Sequence, residues 1–130
     1  MYVLDTNTLI YFFKGLGAVS EHLLAHSPKD IAIPSIVLFE LEIGIARSTS
    51  PQKRKQQLQE MTSLVQILPF GYSEASTAAS IRIDLERQGL LIGPYDILIA
   101  ATAVSNKGVL VSHNTKEFRR IKGLSLEDWY

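Results

Sequence analysis

Acidic side chains recur where apolar runs begin or end in this 130-residue chain. Tyr2-Val3-Leu4 stops on Asp5. The stretch from Ile36 to Arg47 carries Glu40 and Glu42, and Asp96 stands at the head of Ile97-Leu98-Ile99-Ala100-Ala101. Val109-Leu110-Val111-Ser112 is followed at once by His113, Asn114 and Glu117. Each acid has a purely structural account. Asp5 or Asn7 can cap a following helix, Asp96 suits the positive end of a helix dipole, and Asn114 with Glu117 fits the spacing of a capping box. Taken together they offer three or four oxygen ligands. Cysteine is absent, and the pair His22 and His26 lacks the glutamate of a zinc-peptidase helix, because residue 23 is Leu. A hard cation, Mg2+ or Mn2+, is the metal such a donor set would take.

Whether the acids meet depends on the elements that carry them. Tyr2 to Leu4, Ile31 to Ile33, Val65 to Leu68 and Val109 to Ser112 read as short buried strands, and Gly123 to Leu126 can add a last one. Between them lie helix candidates. Thr8 to Lys14 stops at Gly15-Leu16-Gly17, and Ala18 to His26 follows, with both histidines expected on a solvated face. Pro34-Ser35 opens a helix from about Ile36 to Arg47. Ser50-Pro51 starts one that turns Leu58, Met61 and Leu64 or Val65 inward. Ser73 caps a helix ending at Gln88 before Gly89, and Pro94 opens one that closes at Lys107-Gly108. Trp129 and Tyr130 are expected to pack at the end of the chain.

Strands alternating with helices predict an α/β fold with a mainly parallel central sheet of four to five strands flanked by helices. In such sheets the ligand crevice lies outside the carboxyl ends of the strands. Asp5 and the Ser112 to Glu117 segment follow strand ends, while Glu40 and Asp96 belong to helices that can pack beside the same edge. The helix holding Glu40 and Glu42 is apolar all round, which implies cover on more than one side, by a second subunit or by the chain itself. Periodicity does not choose between its two acids.

Composition bounds the rest. Residues 1–130 are of a size for a single domain. Basic and acidic side chains balance at 13 each, so no overall field draws the chain to nucleic acid or to an anionic membrane. No apolar run approaches the ~18 residues of a membrane span, and a cysteine-free chain without a basic leader fits the cytoplasm. Lys53, Arg54 and Lys55 are either a solvated face or one flank of a phosphate track. Arg82 can reach towards a phosphate or pair with Glu86, four residues on.

The pattern Leu4-Asp5-Thr6-Asn7, Phe39-Glu40-Leu41, Gly93-Pro94-Tyr95-Asp96 with Ile99-Ala100, and Val111-Ser112-His113-Asn114 with Glu117-Phe118 resembles the PIN-domain ribonucleases. Within them it is similar to the VapC toxins of bacterial toxin–antitoxin pairs, and the resemblance runs in order through Gly123-Leu124 and Glu127-Asp128-Trp129. It implies a single PIN domain, a Mg2+- or Mn2+-dependent endoribonuclease, and metal ligands at Asp5, Glu40 and Asp96, selecting Glu40 over Glu42. Many members have Asp where Asn114 stands, so Asn114 offers a neutral oxygen and Glu117 the missing charge. Thr6 and Ser112 match positions whose hydroxyls orient ligands or the scissile phosphate. The resemblance also implies a homodimer, a cognate VapB-like antitoxin that blocks the acidic crevice, operator DNA bound only through that antitoxin, and RNA as substrate. The C-terminal pattern is similar to members that cut initiator tRNA. Two other classes share parts of the pattern. A non-catalytic PIN-fold binding module would keep the fold, and an aspartate-dependent phosphohydrolase would need a second acid where Asn7 stands.

Overall fold

The computed structural model describes all 130 residues. In chain order the elements are β1 (Tyr2–Leu4), α1 (Thr6–Lys14), α2 (Val19–Leu24), a single 3-10 turn at Pro28–Asp30, β2 (Ile31–Pro34), α3 (Ser35–Ala46), α4 (Pro51–Leu64), β3 (Gln66–Leu68), α5 (Tyr72–Gln88), α6 (Pro94–Ser105), β4 (Val109–Val111), α7 (Thr115–Phe118) and β5 (Ser125–Glu127). The strands form one parallel sheet in the order β3-β2-β1-β4-β5. The chain builds outward from β1 in one direction, then returns and builds outward in the other. Its topological switch point lies between β1 and β4, where Leu4 is in register with Val111.

The strands are short and apolar on both faces because helices cover both. Val3, Leu4, Ile31, Ala32, Ile33, Leu110 and Val111 are buried, each larger side chain contributing about 1.5–3 kcal/mol of burial. Helix α6 is buried through Ile97 and Ile99 to Ala103, and its run of small residues lets it lie close to α5 and β4. Helix α3 touches α1, α4 and α6 and buries Val37 and Leu41, but Phe39 stays 48 % exposed. The all-round apolar character of α3 is therefore not consumed within one chain.

Several boundaries shift for physical reasons. Asp5 is the N-cap of α1, so that helix begins at Thr6, two residues before the expected start. Helix α2 is shorter than expected. His22 and His26 are not simply solvated, since both rings stack on Trp129, at 5.7 and 5.1 Å between centroids. Ser73 does not cap α5. Gly71 occupies that position, its N–H donating to Glu74 Oε1 at 2.8 Å, and the Ser73 hydroxyl bonds instead to that of Ser105. Leu64 is exposed and Val65 is the partly buried one. The last strand lies at Ser125–Glu127 rather than Gly123–Leu126 because it pairs with β4 in that register.

At the end of α6, Lys107 and Gly108 close the helix as expected and divide the task between them. Lys107 takes the left-handed conformation (φ 56°), whereas Gly108 is needed for space. A Cβ at 108 would lie 2.7 Å from Val3 Cγ2 in the central strand. Gly108→Ala is therefore expected to destabilise the fold by about 1–3 kcal/mol. Lys107→Gly, by relieving left-handed strain, should be neutral or stabilising by up to about 1 kcal/mol. Urea denaturation of the two variants reads the difference, and equal effects would refute this division.

Candidate active site

The crevice opens at the carboxyl ends of β1 and β4. The Asp5 N–H donates to the carbonyl of Val111 at 3.2 Å, carrying the ladder one step past β1, and the Thr8 hydroxyl donates to the same carbonyl at 3.1 Å. Asp5 is thereby fixed at the switch point with only 5 % of its surface exposed. Its side chain accepts from the Thr8 N–H at 2.9 Å, so the capping account and the functional account describe one residue. Burial pushes its carboxyl above the ordinary range, hydrogen bonds from Ser112 and Thr8 pull it back, and the charge of Asp128 adds to the rise.

Asp96 comes from the first turn of α6 and is half-buried. Its carboxyl is pushed up to about 6, first by burial and then by the charges of Asp5, Glu40 and Glu117. The four acids drawn from four separate segments thus act on one point. No cation answers them, because the chain's ion pairs are Lys55 with Glu42, Arg82 with Glu86 and His113 with Asp128.

Hydroxyl and amide groups hold the remaining members in place. The Thr6 hydroxyl donates to Glu40 Oε1 at 2.7 Å, whereas Glu42 points away into its exposed pair with Lys55. Geometry therefore brings Glu40, not Glu42, to the crevice. The Asn114 side-chain amide donates to Glu117 Oε2 at 2.7 Å, and the Asn114 N–H donates to the buried Ser112 hydroxyl at 3.0 Å. Asn114 precedes α7 as its cap position, but its side chain caps no backbone N–H. What was legible as a capping box is a clamp on Glu117.

The arrangement fits a divalent cation in donor chemistry and in charge. All candidate donors are hard oxygens, and an uncompensated cluster of carboxylates is what such an ion would stabilise. No three acidic or imidazole side chains already converge as a closed ligand set. Glu40 is held by Thr6 and Glu117 by Asn114.

Other predicted contacts lie further out. Arg82 is paired with Glu86 at 2.9 Å and Lys55 with Glu42 at 2.8 Å, while Lys53 is exposed and unpaired. Arg54 bonds Gln57 and, with Lys14, borders a groove of about 450 Å³ that runs from Glu40 along Ile10, Phe13 and Ile45.

A further group escaped sequence reasoning. His113 Nδ1 donates to Asp128 Oδ2 at 2.9 Å, and its ring stacks on Tyr130. Burial would raise the Asp128 carboxyl, but the N–H of Tyr130 and the ring and charge of His113 outweigh it and hold it below the ordinary range. No local signal in the sequence marks the group: beyond the end of β5, Trp129 is 2 % exposed in the core while Asp128 and Tyr130 on either side of it are exposed.

The model of the PIN domain matches residues 2–124. The chain is 36 % identical to ribonuclease VapC2 of Rickettsia felis, over 99 % of this chain and 98 % of the relative. It is 33 % identical to the tRNA(fMet)-specific endonuclease VapC of Shigella flexneri, over 98 % and 97 %. Among solved structures it is similar to VapBC2 from Rickettsia felis bound to a DNA fragment from their promoter. The TM-score is 0.92 at 35 % identity, covering 99 % of this chain and 98 % of that one.

The shared field has a measurable signature. Asp96 titrates near 6 when folded and near 3.8 when unfolded, so between those values the folded state holds the extra proton. Its contribution to stability is complete below about 4 and is lost as pH rises through 6. In chelator, melting temperature should fall over that window. Asp96→Asn should flatten the slope and melt roughly 2–4 °C higher at pH 7. Thermal melts from pH 4 to 7.5 decide it, and an unchanged slope in the variant would dissolve the cluster as an electrostatic unit.

Proposed function

This chain belongs to the PIN-domain family, and on that premise we propose that it is the toxin of a type II toxin–antitoxin pair, an endoribonuclease that hydrolyses RNA phosphodiester bonds with Mg2+ or Mn2+. The observation that carries the reading is the convergence on Asp96 of three further carboxylate charges with no cation among them. A fold seldom retains such repulsion for stability's sake, and perturbed acids in a crevice mark sites of chemistry.

Asp5, Glu40 and Asp96 would hold the ion, with Glu117 and the Asn114 oxygen completing the set. When bound, a divalent cation supplies an activated water near neutral pH and neutralises charge on the phosphate. The chain's own groups prepare the place. Burial and the α1 cap fix Asp5 in one rotamer, Thr6 orients Glu40, and Ser112 anchors the turn from which Asn114 steadies Glu117. These partners govern ligand direction, so Thr6→Val is expected to cost roughly tenfold or more in activity.

Partners follow from the relatives and from two surfaces. The groove beside Glu40, apolar at Ile10, Phe13 and Ile45 and basic at Lys14 and Arg54, suits a segment of a VapB-like antitoxin that ends over the acids. Operator DNA is then reached only through the antitoxin. The half-exposed pair Phe39 and Tyr95, edge to face at 5.7 Å, suits the homodimer contact expected of α3. Light scattering should give twice the 14.5 kDa chain mass, and a monomer would remove that partner. No helix is long and apolar enough to cross a membrane. A toxin that acts on RNA works in the cytoplasm, and initiator tRNA is the substrate we favour.

Purified, antitoxin-free protein is expected to cut total tRNA into discrete fragments with Mg2+ or Mn2+. Asp96→Asn, Glu40→Gln and EDTA should each abolish the fragments while the variants keep a cooperative melt. Intact RNA in every lane, from folded and metal-loaded protein, would replace this reading with a non-catalytic binding module.

A further inference from the structure

We propose that His113 and Tyr130 form a stacking platform for a nucleobase of single-stranded RNA, next to the phosphate engaged at the acidic cluster. The inference rests on the ribonuclease reading and adds a binding subsite to it. The two rings lie nearly parallel, with centroids 4.3 Å apart and planes 24° apart. Tyr11 closes their edges from α1, at 4.8 Å and 71° to Tyr130 and at 6.0 Å and 83° to His113.

The platform is built rather than incidental. Asp128 Oδ2 fixes the His113 ring, and Asp128 Oδ1 accepts from the Tyr130 N–H at 2.9 Å, so one carboxylate sets both members. The Tyr130 carbonyl accepts from the Ala18 N–H, and the Tyr130 ring lies directly on the backbone of Gly17. Any Cβ at 17 would come within 2.8 Å of that ring, and Gly17 also has φ 62°, so the bare backbone serves as the ring's floor. Yet His113 keeps 47 % of its side chain exposed and Tyr130 keeps 46 % of its surface exposed. Tyr130 lies between His113 and the Gly17 backbone, so the face left for a base is the outer face of His113, which Tyr130 backs.

Position and charge choose the occupant. His113 sits between Ser112 and Asn114 on the turn that leaves the switch point, and Asp128 is near enough for its charge to act on Asp5. A strand of RNA whose phosphate lies at the acids can therefore bring a neighbouring base to this point. The chain has no net charge, and of its four candidate phosphate contacts Lys55 and Arg82 are already in ion pairs and Arg54 bonds Gln57, leaving Lys53 alone. Electrostatics alone therefore gives little hold on a polyanion, whereas base stacking needs no net charge and accepts any base. The antitoxin groove lies against a different face of α1, through Ile10, Phe13 and Lys14.

The test uses a 12-nucleotide single-stranded RNA carrying 2-aminopurine at successive positions, in the Asp96→Asn background so that nothing is cut. Stacking should quench 2-aminopurine at one or two positions only. His113→Ala and Tyr130→Ala should each weaken binding about tenfold and restore the fluorescence, while His113→Phe and Tyr130→Phe retain both. Thermal melts identify any alanine variant that fails to fold, and the phenylalanine variants then still decide the question, because loss of quenching in them overturns the stacking role. Unchanged quenching and affinity in folded alanine variants overturns the platform while leaving the ribonuclease reading intact. Neutralisation by antitoxin lost at unchanged RNA affinity makes the rings a protein contact and also overturns it. Absence of any binding of this RNA by the parent protein overturns this inference, and cleavage of total tRNA decides the ribonuclease reading separately.

Discussion

A carboxylate buried in the middle of a parallel sheet with no cation beside it is the constraint on which this molecule depends. Asp5 could not sit there unaided, since desolvation of an unpaired charge is among the more expensive events in folding. The fold offsets that cost with dipoles rather than charges. The N-terminus of α1, the Thr8 N–H and the Ser112 hydroxyl all point at the Asp5 side chain, and each is itself anchored to β4 or the turn after it. Because the compensation is dipolar, the net negative charge of the crevice survives and remains available to a cation.

The same economy extends outward. Thr6, one residue after Asp5, steers Glu40 from a helix formed more than thirty residues later, and Ser112 supports the turn that places Asn114 against Glu117. None of these contacts brings a positive group into the crevice. Cations are kept at its margins, on Lys14 and Arg54 beside Glu40, or are consumed by pairs such as Lys55 with Glu42. The outcome is a site whose ligands are positioned by neutral donors and whose field is left unbalanced.

Much of this was legible in the sequence because the strands are short, apolar and bounded by strong signals. Pro34, Pro51 and Pro94 open helices as their fixed φ requires, and the strand–helix alternation gives the parallel sheet. The choice between Glu40 and Glu42 was not legible from periodicity, since both flanks of α3 are apolar. It is made by a hydroxyl 34 residues away. The cap expected at Ser73 failed because a polar residue near a helix start has several partners to choose from, and here a tertiary one, Ser105, won over the local backbone. At Asn114 the local spacing was legible, but the side chain bonds the Glu117 carboxylate rather than the backbone. The aromatic group round His113 was invisible because its members lie more than a hundred residues apart, at Tyr11 and Tyr130.

The order of strands also governs when in the life of the chain the crevice can exist. β1 is synthesised first, yet the carbonyl that seats Asp5 and Thr8 belongs to Val111, across 103 residues in the case of Thr8. A nascent chain that has emitted Asp5, Glu40 and even Asp96 still has no ledge on which to assemble them. Contacts this distant in sequence form only when loop closure can be repaid by the whole sheet, so they arrive late and together. A ribosome translating this chain thus carries a polypeptide with no assembled crevice until β4 has been made.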